Sequence, residues 1–368
     1  MYQRIYQNKK VLITGNTGFK GSWLSIWLLS LGADVYGLSN GIPTEPSIFE
    51  KLKLAQHITH FDQDVRDLEG VKRIISEVKP DFIFHLAAQP IVSISYQNPV
   101  DTFSTNVIGS CNILEALRVS QQACTVVMIT SDKCYENVEW TWGYRENDRV
   151  GGKDPYSASK GAAEVAIRSF YHSFFKAEDS PVKMVTVRAG NVIGGGDWAA
   201  SRIVPDSVQA WAKGEAVVIR SPQATRPWQH VLEPLSGYLR VGQLLHTNRK
   251  LSGESFNFGP KAEQTKTVLE LLQELSLYWE FSSEQEKFQI TENTSYHEAG
   301  LLKLNCDKAL HTLQWLPTLD FVQTAQFTSE WYFNFYRHPE IDLMEFTTEQ
   351  INTYCNIAKE LKISWALD

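Results

Sequence analysis

At 368 residues the chain is longer than one compact core usually holds, so two packed units are expected. Hydrophobic residues at 43% and charged residues at 21% exclude a globally disordered chain. The 42 acidic against 35 basic side chains, a formal charge of −7, argue against a broad nucleic-acid footprint yet permit a local basic pocket for a small phosphorylated ligand.

In chain order, MYQRIYQNKK leads directly into the apolar run VLIT at 11–14 without a signal-peptide core, and no run reaches the about 18 apolar residues of a membrane span. A soluble cytoplasmic protein with no membrane partner is expected. VLIT is the first strand, WLSIWLLSLG a helix with Trp23 and Trp27 in core or interface, and VYGL the second strand. FIFHLA at 82–87, VVMIT at 126–130 and VTVRAG at 185–190 follow, separated by helical patterns. Strands that are apolar throughout belong to a parallel sheet covered on both faces, so the expected fold is α/β, a doubly wound Rossmann-type sheet. Beyond residue 190 the rhythm breaks. Residues 1–190 are expected to form the dinucleotide-binding domain, with HVLEPLSGYLRVGQLL returning to it near 230–258. Residues 191–368 are expected to form a smaller, interleaved substrate domain, with Trp211 again in core or interface. The five cysteines, Cys111, Cys124, Cys134, Cys306 and Cys355, form neither a CxxC pair nor a zinc spacing, so reduced thiols and no metal are expected.

Two constellations carry chemistry. TGNTGFKG places Gly15, Gly18 and Gly21 directly after the first strand, where glycines permit a tight turn and the free N–H groups of a helix start attract a pyrophosphate. The plain alternative is a structural turn. VYGLSNGIPT lacks the acid that usually holds the adenosine ribose at the end of the second strand. Asp64, in DQDVRD, could accept from an adenine amino group or serve as a helix N-terminal acid. Further on, Tyr156 and Lys160 in DPYSASKGAAE stand four residues apart, on one face of a helix. An adjacent ammonium and a cationic nicotinamide ring would lower the tyrosine from its ordinary value near 10, letting it move a proton while the cofactor moves a hydride.

TGNTGFKG, DVRD, FHLAAQ, TSDKCYE, YSASK and VRAGNVIGGGDW, in this order, resemble the extended short-chain dehydrogenase/reductase superfamily, from about residue 8 to residue 335. Within it the chain is most similar to the CDP-glucose 4,6-dehydratases, through SDK, AGNVIGGGDW, ATRPWQHVLEPL and HEAGLLKLNCDKA. The resemblance implies bound NAD held by Gly15, Thr17, Gly18, Phe19, Gly21, Asp64, Val65, Leu86, Ala87, Ala88, Tyr156 and Lys160. It implies a catalytic set of Ser131, Asp132, Lys133, Tyr156 and Lys160. A nucleotide sugar would be met by Asn191, Arg202, Arg226 and His230, with Arg220 and Trp228 nearby. The implied reaction oxidises the sugar at C4, eliminates water across C5 and C6, and returns the hydride to C6, with no net redox change. Lys133 stands where other sugar-nucleotide dehydratases carry a glutamate, and position assigns it the C5 proton. A 4-epimerase or reductase on the same scaffold, a dehydratase for a different nucleotide-glucose and an inactive cofactor-binding protein are the alternatives. The resemblance also implies a homodimer or homotetramer, through helices at 96–118 and 157–176.

Overall fold

The computed structural model describes residues 1–367 except 220, 262, 282, 284–286 and 292–300. Its centre is a seven-stranded, all-parallel sheet whose strands lie, edge to edge, in the order Ser255–Phe258, Val182–Ala189, Cys124–Ile129, Phe82–His85, Lys10–Thr14, Asp34–Ser39 and Thr59–Asp62. The first six strands in sequence are β1 (Lys10–Thr14), β2 (Asp34–Ser39), β3 (Thr59–Asp62), β4 (Phe82–His85), β5 (Cys124–Ile129) and β6 (Val182–Ala189). Three two-stranded pairs lie outside the sheet: β7 (Val192–Ile193) with β10 (Gln229–His230), β8 (Val217–Ile219) with β13 (Phe288–Ile290), and β9 (Thr225–Arg226) with β12 (Lys266–Thr267). β11 (Ser255–Phe258) returns to the large sheet beside β6, Phe256 opposite Val187.

The crossovers are α1 (Phe19–Ser30), the short α2 (Ile48–Lys51), α3 (Leu68–Val78), α4 (Val92–Gln97), α5 (Pro99–Phe103), α6 (Gly109–Ser120) and α7 (Pro155–Phe170). The segment between β4 and β5 breaks at Asn98–Pro99, because proline cannot continue the hydrogen-bond ladder, and passes through a π turn at Ser104–Ile108. The later helices are α8 (Ile203–Ala212), α9 (Leu232–Thr247), α10 (Val268–Ser276), α11 (Asp307–Leu313), α12 (Phe321–Arg337) and α13 (Leu343–Glu360).

Both faces of the sheet are buried, which is why its strands lack alternation. Leu12, Ile83, Val126 and Met128 face one apolar layer with α3 and α6; Val11, Ile13, Phe82, Phe84 and Val127 face the other, with α1 and α9. Trp23 and Trp27 have no exposed surface and Trp211 has 1%, as their helical spacing predicts. From β1 the chain steps outward to β2 and β3, then crosses back to β4 on the other side of β1. That reversal opens a crevice beyond the carboxyl ends of β1 and β4, the position where open α/β sheets bind ligands. Among the described residues no helix is long and apolar enough to cross a membrane, and no cluster of three or more potential metal-ligating side chains is present.

Candidate active site

The loop leaving β1 enters the crevice. Gly15 takes a left-handed φ of 76°, and a β-carbon there would lie 2.8 Å from the Ala87 backbone nitrogen, so loop and β4 end meet backbone to backbone. Gly18 is the N-cap of α1 and caps with no side chain, leaving the helix start open, with Phe19 as its first helical residue. A β-carbon on Gly21 would overlap the Gly15 carbonyl, so only glycine lets α1 close onto the loop. Leu86, Ala87 and Ala88 follow β4; Leu86 N–H donates to the Thr14 carbonyl at 3.0 Å, and Ala87 N–H to Thr14 Oγ1 at 3.1 Å. These features fit a dinucleotide pyrophosphate: a side-chain-free cradle against a free helix N-terminus.

The end of β2 serves the loop itself. Ser39 Oγ donates to Asn16 Oδ1 at 2.8 Å and accepts from Thr17 N–H at 3.3 Å, and Thr17 Oγ1 donates to the Gly41 carbonyl at 2.9 Å. Of the two readings of Asp64, the helix N-terminal one belongs to Asp67, which caps α3 by accepting from Gly70 N–H. The Asp64 carboxylate accepts from Arg66 and from Asn40 Nδ2, and the Arg66 bonds hold it below its ordinary value. Val65 is buried, and its carbonyl accepts from Asn112 Nδ2 at 2.9 Å.

Ser131, Asp132 and Lys133 leave the carboxyl end of β5. Asp154 caps α7 by accepting from Ser157 N–H at 3.0 Å, and Pro155 fills the first helical position, so Tyr156 and Lys160 project one turn apart from a fixed helix start. The Ser131 hydroxyl is hydrogen-bonded to Tyr156 and lies 3.0 Å from Asp132 Oδ1, joining the three groups into one cluster. Lys133 is half-buried on the turn after Asp132, its backbone N–H donating to Ser131 Oγ at 3.2 Å. A β-carbon on Gly190, just past β6, would overlap the Asp132 carboxylate. Behind the cluster the Arg188 guanidinium grips Glu164 with two 2.8 Å bonds and donates to Tyr135 Oη at 2.6 Å, clamping β6 to α7.

Burial depresses Lys160 to about 8, with Cys134 and Glu164 opposing. In the protein alone, burial is the largest influence on Tyr156. Burial pushes it up to about 12, while the Ser131 hydrogen bond and the Arg202 guanidinium pull the other way. A hydroxyl removed from water loses more by ionising than these neighbours return.

Arg202 sits at the N-cap of α8 and donates from a terminal guanidinium nitrogen to Asp197 Oδ2 at 2.6 Å. Tyr332 on α12 holds that loop from below, its hydroxyl accepting from Asp197 N–H at 3.0 Å. Asn191 follows β6 with a left-handed φ of 52°, and its carbonyl accepts from Gln229 N–H. Arg226 lies on β9, part-buried, and donates to the Thr225 carbonyl at 2.8 Å. His230 is a correction: it has no exposed surface and lies in the core. Trp23 and Phe327 pack edge-on against it at 5.7 and 5.6 Å, and burial takes it down to about 3. A neutral ring with no exposed surface packs among these aromatics as a core residue. Trp228, also buried, belongs to the same core. Arg220 and residues 297–300 of HEAGLLKLNCDKA lie outside the described residues.

Sequence reasoning missed three features. Lys20, inside the glycine motif, lies within electrostatic range of Asp132, Lys160, Arg202 and Asp197. Asp197, in GGGDW, orients Arg202. Asn106 bonds Ser159 Oγ at 2.8 Å and the Gln89 carbonyl at 3.2 Å, tying the π turn to α7 and to the β4 exit. The lysine left a signal, as the sole charge in FKGSWLSIWLLS.

With the geometry in place, comparison with known proteins decides the family. The GDP-mannose 4,6 dehydratase family model matches residues 12–328. The chain belongs to this family. Within the extended short-chain dehydrogenase/reductases, it is 45% identical over 333 residues to a CDP-glucose 4,6-dehydratase of Salmonella typhimurium, covering 90% of this chain and 92% of that protein. It is 23% identical to a dTDP-glucose 4,6-dehydratase of Haemophilus influenzae, over 88% and 97% of the two chains. Among solved structures, a UDP-glucose-4-epimerase of Stenotrophomonas maltophila with bound NAD superposes with a TM-score of 0.77 at 21% identity, covering 90% of this chain and 99% of the other. A dTDP-glucose 4,6-dehydratase of Bacillus anthracis in complex with NAD gives 0.72 at 22%, over 88% and 96%. At such identities these two show the shared fold.

Proposed function

We propose that this protein is an NAD-dependent hydro-lyase that converts CDP-D-glucose to CDP-4-dehydro-6-deoxy-D-glucose and water. The observation that carries this reading is the Ser131–Asp132–Lys133 segment set against Tyr156 and Lys160, in a chain 45% identical to a CDP-glucose 4,6-dehydratase. An acid beside the tyrosine is what an elimination needs and a simple epimerisation does not.

When bound over the glycine cradle, NAD supplies the acceptor for the C4 hydride, its later return to C6, and a positive ring that lowers Tyr156. Tyr156 takes the proton of the sugar 4-hydroxyl, Ser131 hydrogen-bonds the same oxygen, and the Lys160 ammonium favours the phenolate. The ketone at C4 acidifies C5. Lys133 takes the C5 proton, Asp132 protonates the departing 6-hydroxyl, and the lysine returns its proton to C5 after C6 is reduced. Asn191, Arg202 and Arg226 serve the substrate diphosphate, where a guanidinium fork suits phosphate oxygens. Residues 1–190, with 230–258, form the dinucleotide side, and 191–368 the sugar-nucleotide side.

The test is turnover of a panel of nucleotide-glucose substrates, followed by the alkaline absorbance of a 4-keto-6-deoxy product, with deuterium at sugar C4. Label recovered at C6 from CDP-glucose without net NADH supports the reading. Label retained at C4 in an epimerised sugar, or no turnover of any substrate, refutes it. Lys133→Glu with full elimination and an unchanged pH profile would remove the lysine from the mechanism.

A further inference from the structure

Lys20 takes no part in these steps, yet it stands inside the site. It occupies the second position of α1, where side chains lean back toward the helix N-terminus and therefore over the mouth of the glycine cradle. It is part-buried and makes no hydrogen bond or ion pair with another described residue. The charges that act on it come from both sides of the cleft: Arg202 and Asp197 from the loop before α8, Asp132 and Lys160 from the reaction centre. Asp197 is already engaged by Arg202 at 2.6 Å, and Asp132 by the Ser131 hydroxyl. Around Lys20 those two carboxylates thus face two other cations, Arg202 and Lys160, and burial is the largest influence against its charge, lowering the lysine to about 8. A helix uncharged elsewhere gains nothing in stability from such a group, which must be desolvated beside two like charges. An arriving anion reverses that balance.

We propose that Lys20 is a further ligand-binding residue of this site, its ammonium taking a phosphate oxygen of a diphosphate ester bound between the cradle and Arg202. A dinucleotide and a sugar nucleotide share that chemistry, and the second source rests on the function proposed above. The bound diphosphate then offsets the positive charge that Lys20 shares with Arg202, and Lys20 reaches from the dinucleotide cradle toward the substrate side.

The experiment compares full-length Lys20→Met, Lys20→Gln and Lys20→Arg with the parent, measuring NAD affinity and, separately, the affinities of CDP and CMP as non-reacting probes. The neutral variants should bind NAD or CDP about 10-fold or more weakly, the loss of one charge-assisted hydrogen bond, and Lys20→Arg should stay within about threefold of the parent. The ligand that weakens identifies the source. If it is CDP, the parent's preference for CDP over CMP collapses with it, a readout that a merely structural lysine would not move. NAD and CDP affinities both within about twofold of the parent in a folded Lys20→Met or Lys20→Gln would overturn the inference, even if turnover were lost. A parent that binds NAD but no cytidine nucleotide would defeat the sugar-nucleotide reading alone, and the NAD arm would still decide Lys20.

Discussion

Replacing Lys160 by methionine should abolish turnover and at the same time stabilise the cofactor-stripped protein. The lysine is 6% exposed, and burial holds it at about 8 against an ordinary 10.5. That depression corresponds to about 3 kcal/mol, at roughly 1.4 kcal/mol for each tenfold change in proton affinity. Its sign follows from proton counting. Below about pH 8 the lysine is charged in both states, and the native state bears the whole penalty. Between about 8 and 10.5 the folded chain binds fewer protons than the unfolded one, so stability rises with pH and the penalty fades. Methionine keeps the packing and removes the charge. Urea unfolding of both proteins, stripped of nucleotide, should show the variant more stable by about 3 kcal/mol near pH 7, with the gap closing toward pH about 10. A variant less stable than the parent near neutrality, or a difference independent of pH, would refute the reasoning.

The remaining predictions follow from the same cluster and its supports. Tyr156→Phe should lose about 10²- to 10⁴-fold or more in turnover while NAD and CDP affinities stay within about threefold, as expected for a lost proton carrier; comparable loss of binding would contradict its role. Arg188→Met strands a buried Glu164 carboxylate and should cost about 3–5 kcal/mol, whereas the double variant with Glu164→Leu should recover much of it; additive losses would show that the pair is not coupled. Gly190→Ala pushes the Asp132 carboxylate aside, so turnover should fall sharply with NAD affinity kept; normal turnover would free Asp132 from its assigned place. Val100 is 81% exposed and Val165 59%, on the two helical stretches expected to pair, so the parent should sediment as a dimer or tetramer and Val100→Glu should weaken it; a parent monomeric at every concentration would exclude that interface.

Much of the fold was legible because a parallel sheet writes itself in continuous apolar runs. VLIT at 11–14 became Lys10–Thr14, VVMIT became Cys124–Ile129, and the glycine loop and the Tyr156/Lys160 pair lie where strand–turn–helix chemistry puts them. What the sequence hides has a shared physical cause. His230 sits in a motif that suggests a ligand contact, but its burial is decided by Trp23 and Phe327, far away in sequence. The rise of Tyr156 reflects desolvation, a property of everything packed around the ring and of no single neighbour. Lys20 was hidden because glycine motifs draw attention to backbone, and its neighbours come from the turn after β5, α7 and the loop before α8. The π turn at 104–108 could not be foreseen from STNVI, where Asn106 is held by Ser159 and Gln89.

The high proton affinity of Tyr156 also bears on what the site does when only partly filled. A chain carrying its tyrosine as a phenol can receive a sugar alcohol and do nothing to it. The alcohol then faces another alcohol, with nowhere for a proton or a hydride to go. A sugar bound without the dinucleotide is merely held, and chemistry needs both in place. The acid, the base and the water-expelling step stay idle until the dinucleotide is seated, so burial that opposes ionisation keeps a half-filled site quiet.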